Sequence, residues 1–169
     1  VRLITDPMDS FRYFEIDFAA RAAREQPIRN YLDVSSPRLV PILILKQHRS
    51  ALSDLLNPLE QDLVETQALT ASLGLSARCT LHTALIEQAG LAPESFDLIT
   101  SISVVEHIPD DSQAIASMWR LLRPNGKLVL TVPCAREACD EYTDLDEYAL
   151  FPKDDKGFVY WQRYYDEEA

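Results

Sequence analysis

The feature that most constrains this chain is an alternation. Short apolar runs of β type take turns with segments whose apolar residues recur every three or four positions. Such an order belongs to an α/β fold, in which helices carry the chain back over a parallel sheet. The first segment is helical: Phe11, Phe14, Phe18 and Ala22 share one face, and Pro27 limits its end. Residues 28–34 read as a strand, and Ser35-Ser36-Pro37 as a helix start, a capping hydroxyl ahead of proline. The apolar stretch 38–48 suits either element by itself. A parallel crossover needs about a dozen residues, so it is read as helix, with the second strand at 51–57. A helix then runs from Pro58 to Gly74, with Leu63, Val64, Ala68 and Ala71 facing the core. Residues 77–82 and 95–103 are the third and fourth strands. Asp110-Asp111-Ser112 caps a further helix whose stripe is Ile115, Met118, Trp119 and Leu122. Pro124-Asn125-Gly126 turns the chain into a fifth strand at 127–132. The expected fold is a doubly wound, mostly parallel sheet of about five strands flanked by helices.

Composition narrows the function. At 169 residues the chain has the size of one domain, read as an N-terminal helix (1–27), a core (28–133) and a covering segment (134–169). A net charge of -11 repels a phosphate backbone, so no nucleic-acid partner is expected. No apolar run approaches the roughly 18 residues of a membrane span, and the start does not resemble a signal peptide, so no membrane partner is expected either. Cys79, Cys134 and Cys139 form no CxxC pair, which suits a reducing cytoplasm; with the histidines scattered, no metal site is expected. Residues 137–169 hold 8 of the 15 aromatic and 11 of the 27 acidic side chains, a density of aromatics that points to a covering role rather than a disordered tail.

The stretch FDLITSISVVEHIPDDSQAIASMWRLLRPNGKLVLTVPC, residues 96–134, closely resembles the class I S-adenosylmethionine-dependent methyltransferases, in particular their broad small-molecule group. The family's pattern there is a strand beginning FDLI, a segment of vleHi type, a helix ending LRPGG and a strand like LVLTVP. Extended backwards over YLDVSSP and LLNPLEQDL, the resemblance covers about residues 28–134. It implies a Rossmann-like fold, S-adenosylmethionine as cofactor and methyl transfer to a small-molecule substrate. By the same resemblance, Asp33 and Ser35, Ser36 and Pro37 border the amino-acid end of the cofactor. Asn57 faces the ribose, Pro58 and Leu59 the adenine, and Thr83 and Ala84 the adenine edge. Ser101, Ile102 and Ser103 line the floor near the sulfonium, with Glu106 and His107 on the substrate side.

Where the family has DxGxGxG, this chain reads Asp33-Val34-Ser35-Ser36-Pro37-Arg38 with no glycine, and Asn57 stands in place of a carboxylate. These departures favour an alternative, a catalytically inactive module that binds a partner or metabolite; the well-kept 96–108 segment favours the enzyme. His107 is the candidate catalytic residue, a general base for a hydroxyl or amine. Asp33→Ala is expected to weaken cofactor binding and leave the fold intact. The aromatic segment after the fifth strand reads as a lid over the acceptor or as a flap over the sheet edge. Its end, WQRYYDEEA, looks like the helix before the family's sixth strand. A fifth strand left at the sheet edge invites pairing with another chain, so a homo-oligomer is an expected partner state.

Overall fold

The computed structural model describes residues 10–146 and 148–167. Five strands form one parallel sheet: β1 (Asn30–Val34), β2 (Leu52–Leu56), β3 (Cys79–His82), β4 (Phe96–Ile102) and β5 (Leu122–Thr131), in the order β3-β2-β1-β4-β5. The order reverses between β1 and β4, which opens a crevice at their carboxyl ends. The helices are α1 (Ser10–Arg24), α2 (Leu39–Gln47), α3 (Glu60–Ser72) and α4 (Asp111–Leu121), so the ambiguous 38–48 stretch is helical. One core layer joins α1 and α2 to the sheet through Ile16, Ala19, Ala23, Val40, Ile44 and Leu98. The other packs Met118, Leu121 and Ala114 of α4 on Leu32, Ile99 and Phe96. No helix among the described residues is long and apolar enough to cross a membrane.

Several faces differ from the expectation. Helix α1 buries Ile16, Ala19, Ala20, Ala22 and Ala23 and leaves Phe11, Phe14 and Phe18 exposed. Close contact with α2 favours the small side chains on the inner face, and periodicity alone does not tell an alanine stripe from a phenylalanine one. The first nine residues of the expected N-terminal segment lie outside the described ones. In α3 the inward residues are Leu63, Thr66 and Thr70; Val64, Ala68 and Ala71 face outward. The two threonines can be buried because their hydroxyls donate to Asp62 O (2.8 Å) and Gln67 O (2.9 Å) of their own helix. Trp119 is exposed beside a fully buried Met118.

Pro124-Asn125-Gly126 is a bulge inside β5 rather than a turn ahead of it: Phe96 pairs with Leu122 and Leu98 with Lys127, and Asn125 takes a φ of 67°. A Cβ on Gly126 would lie 2.9 Å from both Arg123 O and Phe96 O, so only glycine passes there. The expected C-terminal helix is instead β7 (Val159–Tyr164), antiparallel to β6 (Cys139–Thr143). VYWQRY is rich in residues that prefer strands, and cross-strand pairs such as Tyr142–Tyr160 and Asp140–Arg163 hold the hairpin together.

Candidate functional site

A cavity of about 580 Å³ lies over the carboxyl ends of β1, β2 and β4. It runs from Pro58, Leu59, Ala84 and Leu85 at one end, past Ser35, Asn57 and Ser103, to His107, Tyr148 and Phe151 at the other. A smaller cavity of about 210 Å³ adjoins it behind the β1 loop, and Arg12, Ser35, Asn57, Asp62 and Ser103 border both.

The polar groups of the β1 loop are spent on bonds within the loop and to the neighbouring strands. Asp33 is buried; its Oδ1 accepts from the Tyr31 hydroxyl (2.9 Å) and Thr100 Oγ1 (2.7 Å), its Oδ2 from the Ser36 amide (3.1 Å). Burial pushes its carboxyl up to about 6, against the pull of the hydrogen bonds from Thr100, Ser36 and Tyr31. Ser36 Oγ accepts from the Ile102 amide (3.1 Å), and Ser35 Oγ donates to Leu56 O (3.2 Å), so neither hydroxyl caps α2, whose N-cap position is Arg38. The Ser35 amide donates to Leu56 O, and Pro37 has no N–H to offer. Ser35 holds a φ of 54°, the left-handed conformation that a glycine would adopt without strain. The backbone thus keeps the shape that a glycine normally allows.

Beyond β2, Asn57 Oδ1 accepts from the Leu59 amide (2.8 Å), capping the turn into α3, and its Nδ2 donates to Asp62 (3.3 Å). Asp62 brings a carboxylate to this wall and also pairs with Arg38 (2.5 Å). On the opposite side, α1 leans on the strand ends. Glu15 Oε1 accepts from Ser103 Oγ (2.6 Å) and Thr131 Oγ1 (2.7 Å), while its Oε2 holds Arg12 (3.0 Å).

The loop after β4 contains a single helical turn, Val105–His107. His107 Nδ1 lies 2.7 Å from Trp161 O; a carbonyl only accepts, so Nδ1 carries a proton, and a neutral ring in this orientation has its lone pair on Nε2. The ring sits edge-on to Tyr148 (5.6 Å) and Trp161 (5.2 Å), which stack on each other. Tyr160 donates to Glu106 O (2.9 Å), and Asp111 receives both Arg163 (2.6 Å) and the Tyr165 hydroxyl (2.8 Å). Partial burial works against the charge of Asp111, but these two donors outweigh it and hold the carboxyl below its usual range. Four bonds therefore dock the β6–β7 hairpin on the 105–111 segment. Glu106 is buried with Oε2 unpartnered among the described residues; burial first, then the charge of Glu15, pushes it up to about 7.

Of the residues expected here, Asp33, Ser35, Ser36, Pro37, Asn57, Pro58, Leu59, Ala84, Ser103 and His107 border the two cavities. Thr83 is exposed and borders neither, while Ser101 and Ile102 are fully buried behind the wall. Arg12 and Asp62 border the cleft and were not expected; Tyr148 and Phe151, of the aromatic segment read as a lid or a flap, border it too. Asp62, one turn beyond Asn57, is the one that spacing could have found; nothing local marks Arg12, because only tertiary packing turns it inward.

S-adenosylmethionine, the cofactor that the sequence implies, fits the donor set. Apolar walls at 58–59 and 84–86 suit a flat base, Asn57 and Asp62 suit vicinal hydroxyls, and Arg12 supplies a cation where the two cavities adjoin.

Residues 56–130 match the family described as "Methyltransferase domain". A dimethylglycine N-methyltransferase of Parasynechococcus marenigrum is 35% identical over 72 residues, 43% of this chain and 26% of that protein. Among solved structures, coclaurine N-methyltransferase bound to N-methylheliamine and S-adenosylhomocysteine superposes with a TM-score of 0.66 at 15% identity, over 79% of this chain and 40% of that one. The O-methyltransferase of a Brevibacillus brevis trans-AT polyketide synthase, in complex with S-adenosylhomocysteine, gives a TM-score of 0.64 at 15% identity, over 84% and 51%. The matched segments thus span about a quarter to a half of these proteins' lengths.

Proposed function

From the match of residues 56–130 to the methyltransferase domain family, we propose that the chain is a class I S-adenosylmethionine-dependent methyltransferase, whose cleft binds S-adenosylmethionine and serves methyl transfer to a small-molecule acceptor. The observation that carries this is that one cavity of about 580 Å³ is lined both by the apolar residues at 58–59 and 84–86 and by His107 with the aromatic residues Tyr148 and Phe151. Asn57 and Asp62 hold the ribose hydroxyls, Pro58, Leu59 and Ala84 enclose the adenine, and Arg12 meets the carboxylate. When bound, the cofactor supplies an electrophilic methyl group on its sulfonium.

The remaining chemistry is positioning. Tyr148 and Phe151 shape an apolar space for the acceptor and exclude water beside His107. His107 Nε2, free to accept because Nδ1–H is spent on Trp161 O, takes the proton of the attacking hydroxyl or amine. The acceptor class that follows is a largely apolar molecule carrying one ionisable O–H or N–H group.

Calorimetric titration with S-adenosylhomocysteine tests the reading. Micromolar binding is expected, and no heat up to millimolar ligand overturns it. His107→Asn should leave that affinity unchanged and, with an acceptor in hand, lower turnover by about 10²-fold or more; a wild-type rate removes the base.

A further inference from the structure

The amides that a glycine-rich loop would turn towards a carboxylate are consumed here: Ser35 N–H on Leu56 O, Ser36 N–H on Asp33, and Pro37 with none. Arg12, from a helix that precedes the whole sheet, reaches the same cleft instead. A free arginine on a surface helix sweeps many rotamers, and this one is held by Glu15. The Glu15 side chain is itself largely buried, and three donors from three separate segments converge on it: Arg12, Ser103 and Thr131. Ser103 sits at the end of β4 with a φ of 52°, and its amide bonds Thr131, so Glu15 braces the strained corner of the floor as well as the cation.

We propose that Glu15 is a positioning residue of the cofactor site: it locks α1 onto the ends of β4 and β5 and aims the Arg12 guanidinium at the amino-acid end of the cofactor. The N-terminal helix thereby supplies the anchoring that the β1 loop does not. This rests on the cofactor reading above.

The test compares two ligands, S-adenosylhomocysteine and 5′-methylthioadenosine, which shares the adenosine and thioether but lacks the carboxylate and ammonium. For Glu15→Gln, whose amide oxygen still accepts from Ser103 and Thr131, affinity for S-adenosylhomocysteine should fall about tenfold while that for 5′-methylthioadenosine stays within about twofold. Thr131→Val, off the cleft wall, cuts one bond to Glu15 and should show the same selectivity with a smaller loss. Arg12→Ala combined with Glu15→Gln should bind S-adenosylhomocysteine no worse than Arg12→Ala alone. Equal loss for both ligands, no loss for either, or additive losses in the double variant overturn the positioning role. A wild-type protein that binds neither ligand at millimolar concentration overturns the cofactor reading, and this proposal with it.

Discussion

The two walls of the cleft solve the same problem in opposite ways. The β1 wall, residues 33–38, is braced by its neighbouring strands: Asp33 accepts from Tyr31, Thr100 and the Ser36 amide, Ser35 bonds Leu56 O, and Ser36 Oγ accepts from the Ile102 amide, so little is left over for a ligand. The β4 wall, residues 103–111, makes few bonds of its own and is braced from outside, by Glu15 of α1 on one side and by Tyr160, Trp161, Arg163 and Tyr165 of the hairpin on the other. The wall braced by neighbouring strands departs from the pattern of the methyltransferase family that the sequence resembles, and the wall braced by α1 and the hairpin retains it. Both walls are held by residues distant in sequence; in the β1 loop the bonds consume amides and hydroxyls, whereas on the β4 wall they leave His107 Nε2 without a bond among the described residues.

The largest effect should come from cutting the inner brace. Asp33→Ala leaves the Tyr31 and Thr100 hydroxyls and the Ser36 amide without a shared acceptor inside the core, so urea unfolding should show a loss of about 3 kcal/mol. This replaces the expectation that the fold would be unaffected; an unchanged midpoint would mean that the network relaxes onto other partners.

Cutting the outer brace comes second. Asp111→Ala removes the acceptor shared by Arg163 and Tyr165 and should cost about 2 kcal/mol, with Trp161 emission shifting to the red as the hairpin loosens. Measurement in a Trp119→Phe background removes the exposed second tryptophan, and unshifted emission would uncouple the hairpin from Asp111.

The third prediction uses pH. Asp33 and Glu106 have folded-state values raised to about 6 and about 7, so the folded protein binds their protons more tightly than the unfolded chain. Their contribution to stability is complete below about pH 4 and is lost as pH rises to about 7. Asp97 and Asp111 are shifted down and act oppositely, their stabilisation disappearing as pH falls through the acidic range. Glu106→Gln should therefore flatten the decline between about pH 5 and 7 and stabilise the protein at pH 8 by about 1–2 kcal/mol. A variant less stable than wild type at pH 8 would mean that the Glu106 carboxylate has a partner in solution.

The smallest effect tests the glycine question directly. Ser35→Gly at a φ of 54° should relieve the left-handed strain and stabilise the protein by about 0.5 kcal/mol in thermal unfolding, after the loss of the Ser35–Leu56 side-chain bond. Destabilisation would assign that bond more weight than the strain.

The parallel sheet was legible because each strand is a local apolar run and each crossover length restricts what lies between; even the ambiguous 38–48 segment was decided by that count. The place of the cleft was legible because in an open sheet it lies where the strands end, while the residues expected to line it came from the resemblance over residues 28–134. Three things were not. Exposed Phe11, Phe14 and Phe18 carry the same helical period as the alanines that are buried, so the inner face of α1 depended on how closely α2 approaches. The strand at 159–164 was mistaken for a helix because its pairing partner, β6, is separated from it by a long loop. Arg12, Glu15 and the hairpin contacts to 105–111 span separations of roughly fifty to more than a hundred residues. The sequence by itself determined the elements of the parallel sheet, their order and the place where its strands open. Only the tertiary structure decided which distant side chains complete the site, because a hydrogen bond across such separations depends on packing geometry that no local pattern encodes.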